Sequence, residues 1–263
     1  MYSIVRLHIM SKHTSVPNSV LQYITDASRV IDSSEALLKL FSDKIKIYLK
    51  SEFGPHCWAE LECNLDKYIE LNENISICFK TKNMKKLVRV IEDSNSSLEI
   101  SVDKKENILQ LALGSIQFRT LGIDIATTSL LTKSSLMNEA GEVVVQGSAL
   151  DLPFKAFSLI NGFATLKIDP NNWSFIVIAN GTSDSMRYKC DQSMIEKMKF
   201  KNNNTIKKTL IGDYFGNMQL KIPDQVNVLM SVNHKGPLKI SHHIPNVEAS
   251  MDYYLPVKYS KRN

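Results

Sequence analysis

Cysteine is scarce: four residues in 263, none in a C-x-x-C pair. Cys57, Cys63, Cys78 and Cys190 match neither the even framework of a small secreted scaffold nor the paired ligands of a zinc site, and read as reduced thiols. His56, Cys57 and Cys63 lack a second closely spaced pair to complete a tetrahedron, so no metal and no cofactor is expected. Long apolar runs are missing too. Nothing approaches the roughly 18–20 residues that span a bilayer, and Met1-Tyr2-Ser3-Ile4-Val5-Arg6 lacks the basic region and apolar stretch of a signal peptide. An intracellular protein without a membrane partner is expected, and the Asn-x-Ser/Thr matches at Asn74, Asn95, Asn180 and Asn203 then read as chance. Catalytic signatures are equally lacking: there is no Gly-rich phosphate loop, no His-Glu-x-x-His and no nucleophile elbow. Asp184, His234, His242 and His243 could serve acid–base chemistry, but His242 and His243 take opposite faces of one strand, so at least one reads as a surface group. No enzyme is expected.

What the chain does have is an ordinary core-forming composition, 43% hydrophobic, and a mild basic excess of 32 Lys plus Arg over 27 Asp plus Glu. That balance permits a polyanionic partner without demanding one. Its length suits two modest domains or one large one.

Periodicity gives the same order of elements again and again. A first strand is expected over 3–10, then an amphipathic helix over 19–32, where Val20, Leu21, Ile24, Ala27, Val30 and Ile31 recur at helical spacing behind Pro17-Asn18-Ser19. Residues 37–41 and 44–50 read as a hairpin, the second arm alternating strictly, and strands follow at 57–62 and 74–80. A second unit begins with a helix at 82–93 and a hairpin of 98–102 and 108–113. Residues 122–150 are rich in Ser and Thr and read as a long connector, given the bounds 122–146 between domains 1–121 and 147–263. Beyond it come a helix at about 152–164, strands at 164–168, 173–178 and 185–189, a weaker helix near 206–219 broken by Gly212 and Gly216, and strands at 226–232, 238–244 and 249–257.

The informative helix is 82–93. Met84, Leu87, Val88 and Ile91 fall at i, i+3, i+4, i+7, while Lys82, Lys85, Lys86 and Arg89 gather on the other side. The plain reading is a solvated face. The sharper one is a row of flexible cations meeting a phosphate backbone without reading bases. Lys155 on the third helix and Lys199, Lys201, Lys207 and Lys208 leading into the fourth extend the set, with Lys12 and Arg29 near the first.

This twice-built chain with a connector between halves resembles the PCNA-like sliding clamps. Within them it is most similar to the Hus-one family of the nine-one-one checkpoint clamp, through the hairpin 38–49 and the Trp58-x-Glu60-Leu61-Glu62 strand, while the tail Pro237-Leu238-Lys239-Ile240 with Met251-Asp252-Tyr253-Tyr254-Leu255-Pro256 is similar to the closing strands of PCNA. It departs from that family where a T-H-D-I-P-type segment is replaced by Gly122-Ile123-Asp124-Ile125-Ala126, and parts of 164–200 suit the Rad-one subunit equally. The resemblance implies an α+β DNA clamp of two similar domains, each of paired βαβββ units, with helices lining a channel and sheets outside. It implies a nuclear, non-catalytic subunit of a heterotrimeric ring that encircles duplex DNA in the damage checkpoint and repair. Its partners would be two other clamp subunits, sequence-independent duplex DNA, a clamp loader, and checkpoint or repair proteins. Strands 108–113 (Leu109, Leu111, Leu113) and 185–190 (Met186, Tyr188) would meet the neighbouring subunits, and Ile123, Ile125, Leu130 and Leu131 would receive partner proteins. A homotrimeric PCNA-type replicative clamp is the alternative, against which the net charge of +5 speaks modestly.

Overall fold

The computed structural model describes residues 18–51, 57–65, 74–84, 86, 99–103, 106–113, 116–123, 139–160, 162–218, 222–233 and 236–258. The expected first strand at 3–10 lies outside them. Among the described residues the helices with both ends defined are, in chain order, α1 (Asn18–Val30), α2 (Ser148–Leu159) and α3 (Gly212–Asn217). The strands of the first half are β1 (Glu35–Leu40), β2 (Lys44–Lys50), β3 (Trp58–Asn64), β4 (Ile75–Lys80), β5 (Glu99–Asp103), β6 (Ile108–Leu113) and β7 (Ile116–Leu121). Then follow β8 (Glu139–Gln146), β9 (Phe163–Asp169), β10 (Ser174–Asn180), β11 (Ser185–Lys189), β12 (Ile195–Phe200), β13 (Ile206–Ile211), β14 (Asn227–Asn233), β15 (Leu238–His243) and β16 (Ala249–Leu255).

Among the described residues three antiparallel sheets result. Nine strands run β12-β8-β14-β15-β16-β3-β2-β1-β4, four run β11-β10-β9-β13, and three run β5-β6-β7. The large sheet belongs to both halves, because β16 pairs with β3 from Ala249 opposite Cys63 to Tyr254 opposite Trp58. Directly opposed residues share a face, so one row crosses the whole sheet: Ile77, Leu38, Ile47, Leu61, Met251, His242, Val228, Val145 and Ile195. Every member is buried.

Helices cover that face. α1 packs on β2 and β3, and α2 packs on β8. The expected stripe of α1, Val20 to Ile31, is buried as a unit. Even Thr25, Asp26 and Ser28 are covered, and exposed Arg29 reaches Asp26 at 3.5 Å. Phe154 and Phe157 of α2 meet the Phe215 ring of α3 edge-on, at 4.7 and 5.1 Å between centroids. Each such pair adds about 1 kcal/mol beyond its buried area. Gly216 permits this approach: a Cβ there would stand 2.9 Å from the backbone nitrogen of Ser158.

Four sequence expectations are corrected. The stretch 206–219 is not one helix: Ile206–Ile211 forms β13 against β9, and the helix is confined to Gly212–Asn217. Ile206, Thr209 and Ile211 are β-branched, and the ladder to β9 outweighs the helical spacing of Ile206, Leu210 and Tyr214. The third helix runs 148–159 rather than 152–164, with Pro153 inside it and Phe163 opening β9. Glu139–Gln146, read as connector, is β8, paired on both sides. Strands β7 and β12 have no counterpart among the expected elements.

Candidate nucleic-acid interface

The helical turn after β4 places the first cations. Residues 81–84 and 86 are helical. Thr81 Oγ1 donates to the Ser33 carbonyl at 2.9 Å, and Asn83 Nδ2 donates to Thr120 Oγ1 at 2.9 Å, fixing the turn to the segment before β1 and to β7. Met84 is buried in the core with α1, while Lys82 and Lys86, four residues apart, are both exposed. This is the amphipathic split that the sequence predicts. Lys85 and Arg89 lie outside the described residues.

Other predicted cations separate. Lys155 is exposed on α2 but pairs with Asp151 at 2.6 Å, which offsets its charge. Lys207 and Lys208 belong to β13, not to a helix. Lys207 is exposed on the sheet face turned away from α2 and α3. Lys208 points the other way and is buried at 6% exposure, and burial lowers its pKa. Neither therefore joins the helical set. Lys199 is exposed on β12, Lys201 is exposed just beyond it, and Lys12 lies outside the described residues.

The expected subunit edges change as well. β6 is the central strand of its sheet, with β5 and β7 on either side, and Leu109 and Leu111 are core residues at 0% and 1% exposure. Leu109, Leu111 and Leu113 thus offer no free ladder. Among the described residues β7 is an edge of that sheet, where Gln117, Arg119 and Leu121 are exposed, Leu121 at 72%. Its alternation of Ile116, Phe118 and Thr120 with Gln117, Arg119 and Leu121 is the signal that could have found it. β11 is an edge strand, with Met186 and Tyr188 half-buried against the core. Ile123 is tied to the sheet: its N–H donates to the Cys78 carbonyl at 2.8 Å. Ile125, Leu130 and Leu131 lie outside the described residues.

The opposite face of the nine-stranded sheet is a charged and aromatic ladder. Lys44 pairs with Glu62 at 2.9 Å, Lys46 with both Glu60 and Glu62, and Lys239 with Asp252 at 2.8 Å. Burial disfavours the Lys46 ammonium, but the Glu62 hydrogen bond and the charge of Glu60 raise its pKa. Trp58 stacks on Tyr254 with centroids 4.2 Å apart. Among the described residues no His, Cys, Asp or Glu group could hold a metal ion. All four cysteines are buried free thiols, Cys57 pushed up by burial to about 12 and Cys190 to about 11.

No protein-family model matches the chain. A DNA polymerase sliding clamp of Natronomonas pharaonis is 20% identical over 163 residues, 62% of this chain and 65% of that relative's length. The PCNA of A. fulgidus with the C-terminal region of FEN-1 bound superposes with a TM-score of 0.79 at 13% identity, over 95% of this chain and 99% of that one. A chain of the PCNA2-PCNA3 complex from Sulfolobus tokodaii gives 0.71 at 15%, over 93% and 98%. The helices gathered on one face of a sheet shared by two halves, together with these likenesses over nearly its whole length, give this chain the PCNA-like sliding-clamp fold.

Proposed function

We propose that the chain is a non-catalytic subunit of a DNA sliding clamp. The observation that carries this reading is the helical side of the shared sheet, from which Lys82 and Lys86 project while Met84 anchors them. Ammonium groups on flexible stems bind phosphates without fixing a base register, which suits a ring that stays on duplex DNA and slides. Closure uses two of the sheet edges: β7 of one subunit adds to β11 of the next, extending one antiparallel ladder across the boundary. Partner proteins dock beside Ile123, where the chain leaves β7 along the edge of β4.

The finer reading is a Hus-one-type subunit of a heterotrimeric checkpoint and repair clamp, acting in the nucleus with a loader and signalling partners. It is supported by the Trp58-Ala59-Glu60-Leu61-Glu62 strand and its stacking on Tyr254. Light scattering on the purified chain separates the alternatives, since a monomer fits a hetero-ring and a self-made trimer fits a replicative clamp.

DNA binding tests the coarser reading. In the assembled ring, Lys82→Ala with Lys86→Ala weakens retention on a closed circular duplex and lowers the salt slope of binding by about 2, roughly one for each phosphate left without its lysine. Because both side chains are exposed, the melting temperature stays unchanged. Undiminished retention removes the helical lysines from the interface.

A further inference from the structure

The face of the four-stranded sheet turned away from α2 and α3 carries cations almost without counter-charge. Register places Lys189, Ile176, Lys167 and Lys207 in one row across β11, β10, β9 and β13, and Arg187, Ile178, Thr165 and Thr209 in the next. The row beyond ends with Phe163 opposite Ile211. Lys258 reaches the same end, its N–H donating to the Thr209 carbonyl at 2.7 Å and its Nζ standing 3.7 Å from the Phe163 ring centre. Arg187, Lys189, Lys167, Lys207 and Lys258 thus share one surface, and none forms an ion pair with another described residue. Asp169 is the only carboxylate within these strands on that face. It is already engaged, Oδ1 accepting from the backbone N–H of Asn171 and Asn172 and Oδ2 from Asn172 Nδ2.

Lys167 directly opposes Lys207, an arrangement that costs stability in an antiparallel pair. Like charges held together with only the engaged Asp169 beside them among the described residues favour an anion from outside the chain. The class of anion follows from what lies beside them. Phe163 and Ile211 are large apolar side chains left 38% and 39% exposed on this same face, four residues along β9 from Lys167. At the rise of a strand that separation is about 13 Å. A phosphate backbone would use the cations and leave the apolar pair idle, whereas an acidic polypeptide uses both.

We propose that this face, with the Lys189–Lys167–Lys207 row at one end and the Phe163–Ile211 pair at the other, docks an acidic polypeptide segment of a partner protein. The segment carries a bulky apolar side chain about four extended residues from a cluster of carboxylates. The face lies within one chain, so the proposal stands or falls separately from ring closure and from duplex binding at Lys82 and Lys86.

Fluorescence anisotropy on the full chain tests it with three labelled peptides and one DNA. The first peptide carries a Phe-Leu pair followed four residues on by four Glu, the second has Gln for each Glu, and the third has Gly for the Phe-Leu pair. The fourth probe is a short duplex. The first peptide is expected to bind at least tenfold more tightly than either control, to lose tenfold or more with Lys167→Gln and Lys207→Gln together, and to keep its affinity with Lys167→Arg and Lys207→Arg. Lys82→Ala with Lys86→Ala should leave peptide binding unchanged. The Gln pair should melt no lower than the parent, since it relieves a repulsion. Equal binding of the Gln-containing peptide, affinity indifferent to the Gln pair, or duplex binding that falls with the Gln pair while peptide binding does not, each overturns the proposal.

Discussion

His242 stands in the middle of a row of nine buried residues of which the other eight are apolar. Its Nδ1 lies 3.0 Å from the His243 carbonyl, which makes Nδ1 the donor and leaves Nε2 to accept, but Nε2 is buried with no partner among the described residues. The ring faces Tyr23 of α1 at 5.9 Å and Tyr253 of β16 at 6.2 Å. Burial lowers its pKa, the chief opposing influences being the His243 carbonyl and the charge of Asp252. The sign follows from proton counting: below about 6.5 the unfolded histidine takes up a proton that the folded one refuses. His242 therefore contributes stability fully above that pH and loses it as the pH falls toward the folded pKa. Urea unfolding of the parent should show lower stability at pH 5.5 than at 7.5, by at most about 1.4 kcal/mol per pH unit from this group. His242→Leu should flatten that component, and identical pH slopes in the two proteins would sink the assignment. His243, its strand neighbour on the other face, is exposed, as alternation predicts for one of the pair.

At the scale of elements, legibility in the sequence followed how undisturbed each period was. β2 alternates without a break, so Ile45, Ile47 and Leu49 gave its buried face directly, and α1 gave a stripe that packing kept. β12 hid because its register shifts between Ile195 and Lys197, which puts two residues against one and breaks the alternation before Met198 and Phe200 resume it. β13 hid because its apolar positions also fit a helix, and choosing between them needed β9, more than thirty residues earlier in the chain. The candidate site divides the same way: Lys82 and Lys86 could be placed from helical spacing, whereas no local pattern told that Lys207 and Lys208 take opposite faces of a strand. That β6 lies inside its sheet and β7 at an edge is a matter of tertiary position. Leu121→Glu puts a charge at that edge where Leu121 is 72% exposed, so it should alter monomer stability by no more than about 0.5 kcal/mol. Sedimentation velocity should nevertheless show the variant failing to assemble with its clamp neighbours. Unchanged assembly would move ring closure away from β7.

The whole molecule is joined by the β16–β3 ladder rather than merely linked by a connector, and that joint makes a thermodynamic prediction. Six directly opposed residue pairs, from Ala249–Cys63 to Tyr254–Trp58, cross between the halves. Trp58 and Tyr254 lie nearly parallel, 8° apart, and are both buried. Separating the halves would expose this stack and break the row that carries Leu61 and Met251, so neither half can open without costing the other part of its core. The chain has two tryptophans. Trp58 reports the joint, and Trp173 reports the β9–β10 turn of the second half, where it is 39% exposed with φ 45°. Replacing Trp173 by Asn, a residue that tolerates the left-handed conformation, leaves Trp58 as the only indole; Trp58→Phe leaves Trp173 and retains an aromatic ring against Tyr254. Urea transitions followed by fluorescence in the two variants, each compared with circular dichroism on the same protein, should coincide within each protein as one cooperative step. A Trp173 signal lost well before the dichroism would mean that the second half unfolds by itself and that the shared sheet does not bind the halves into one unit.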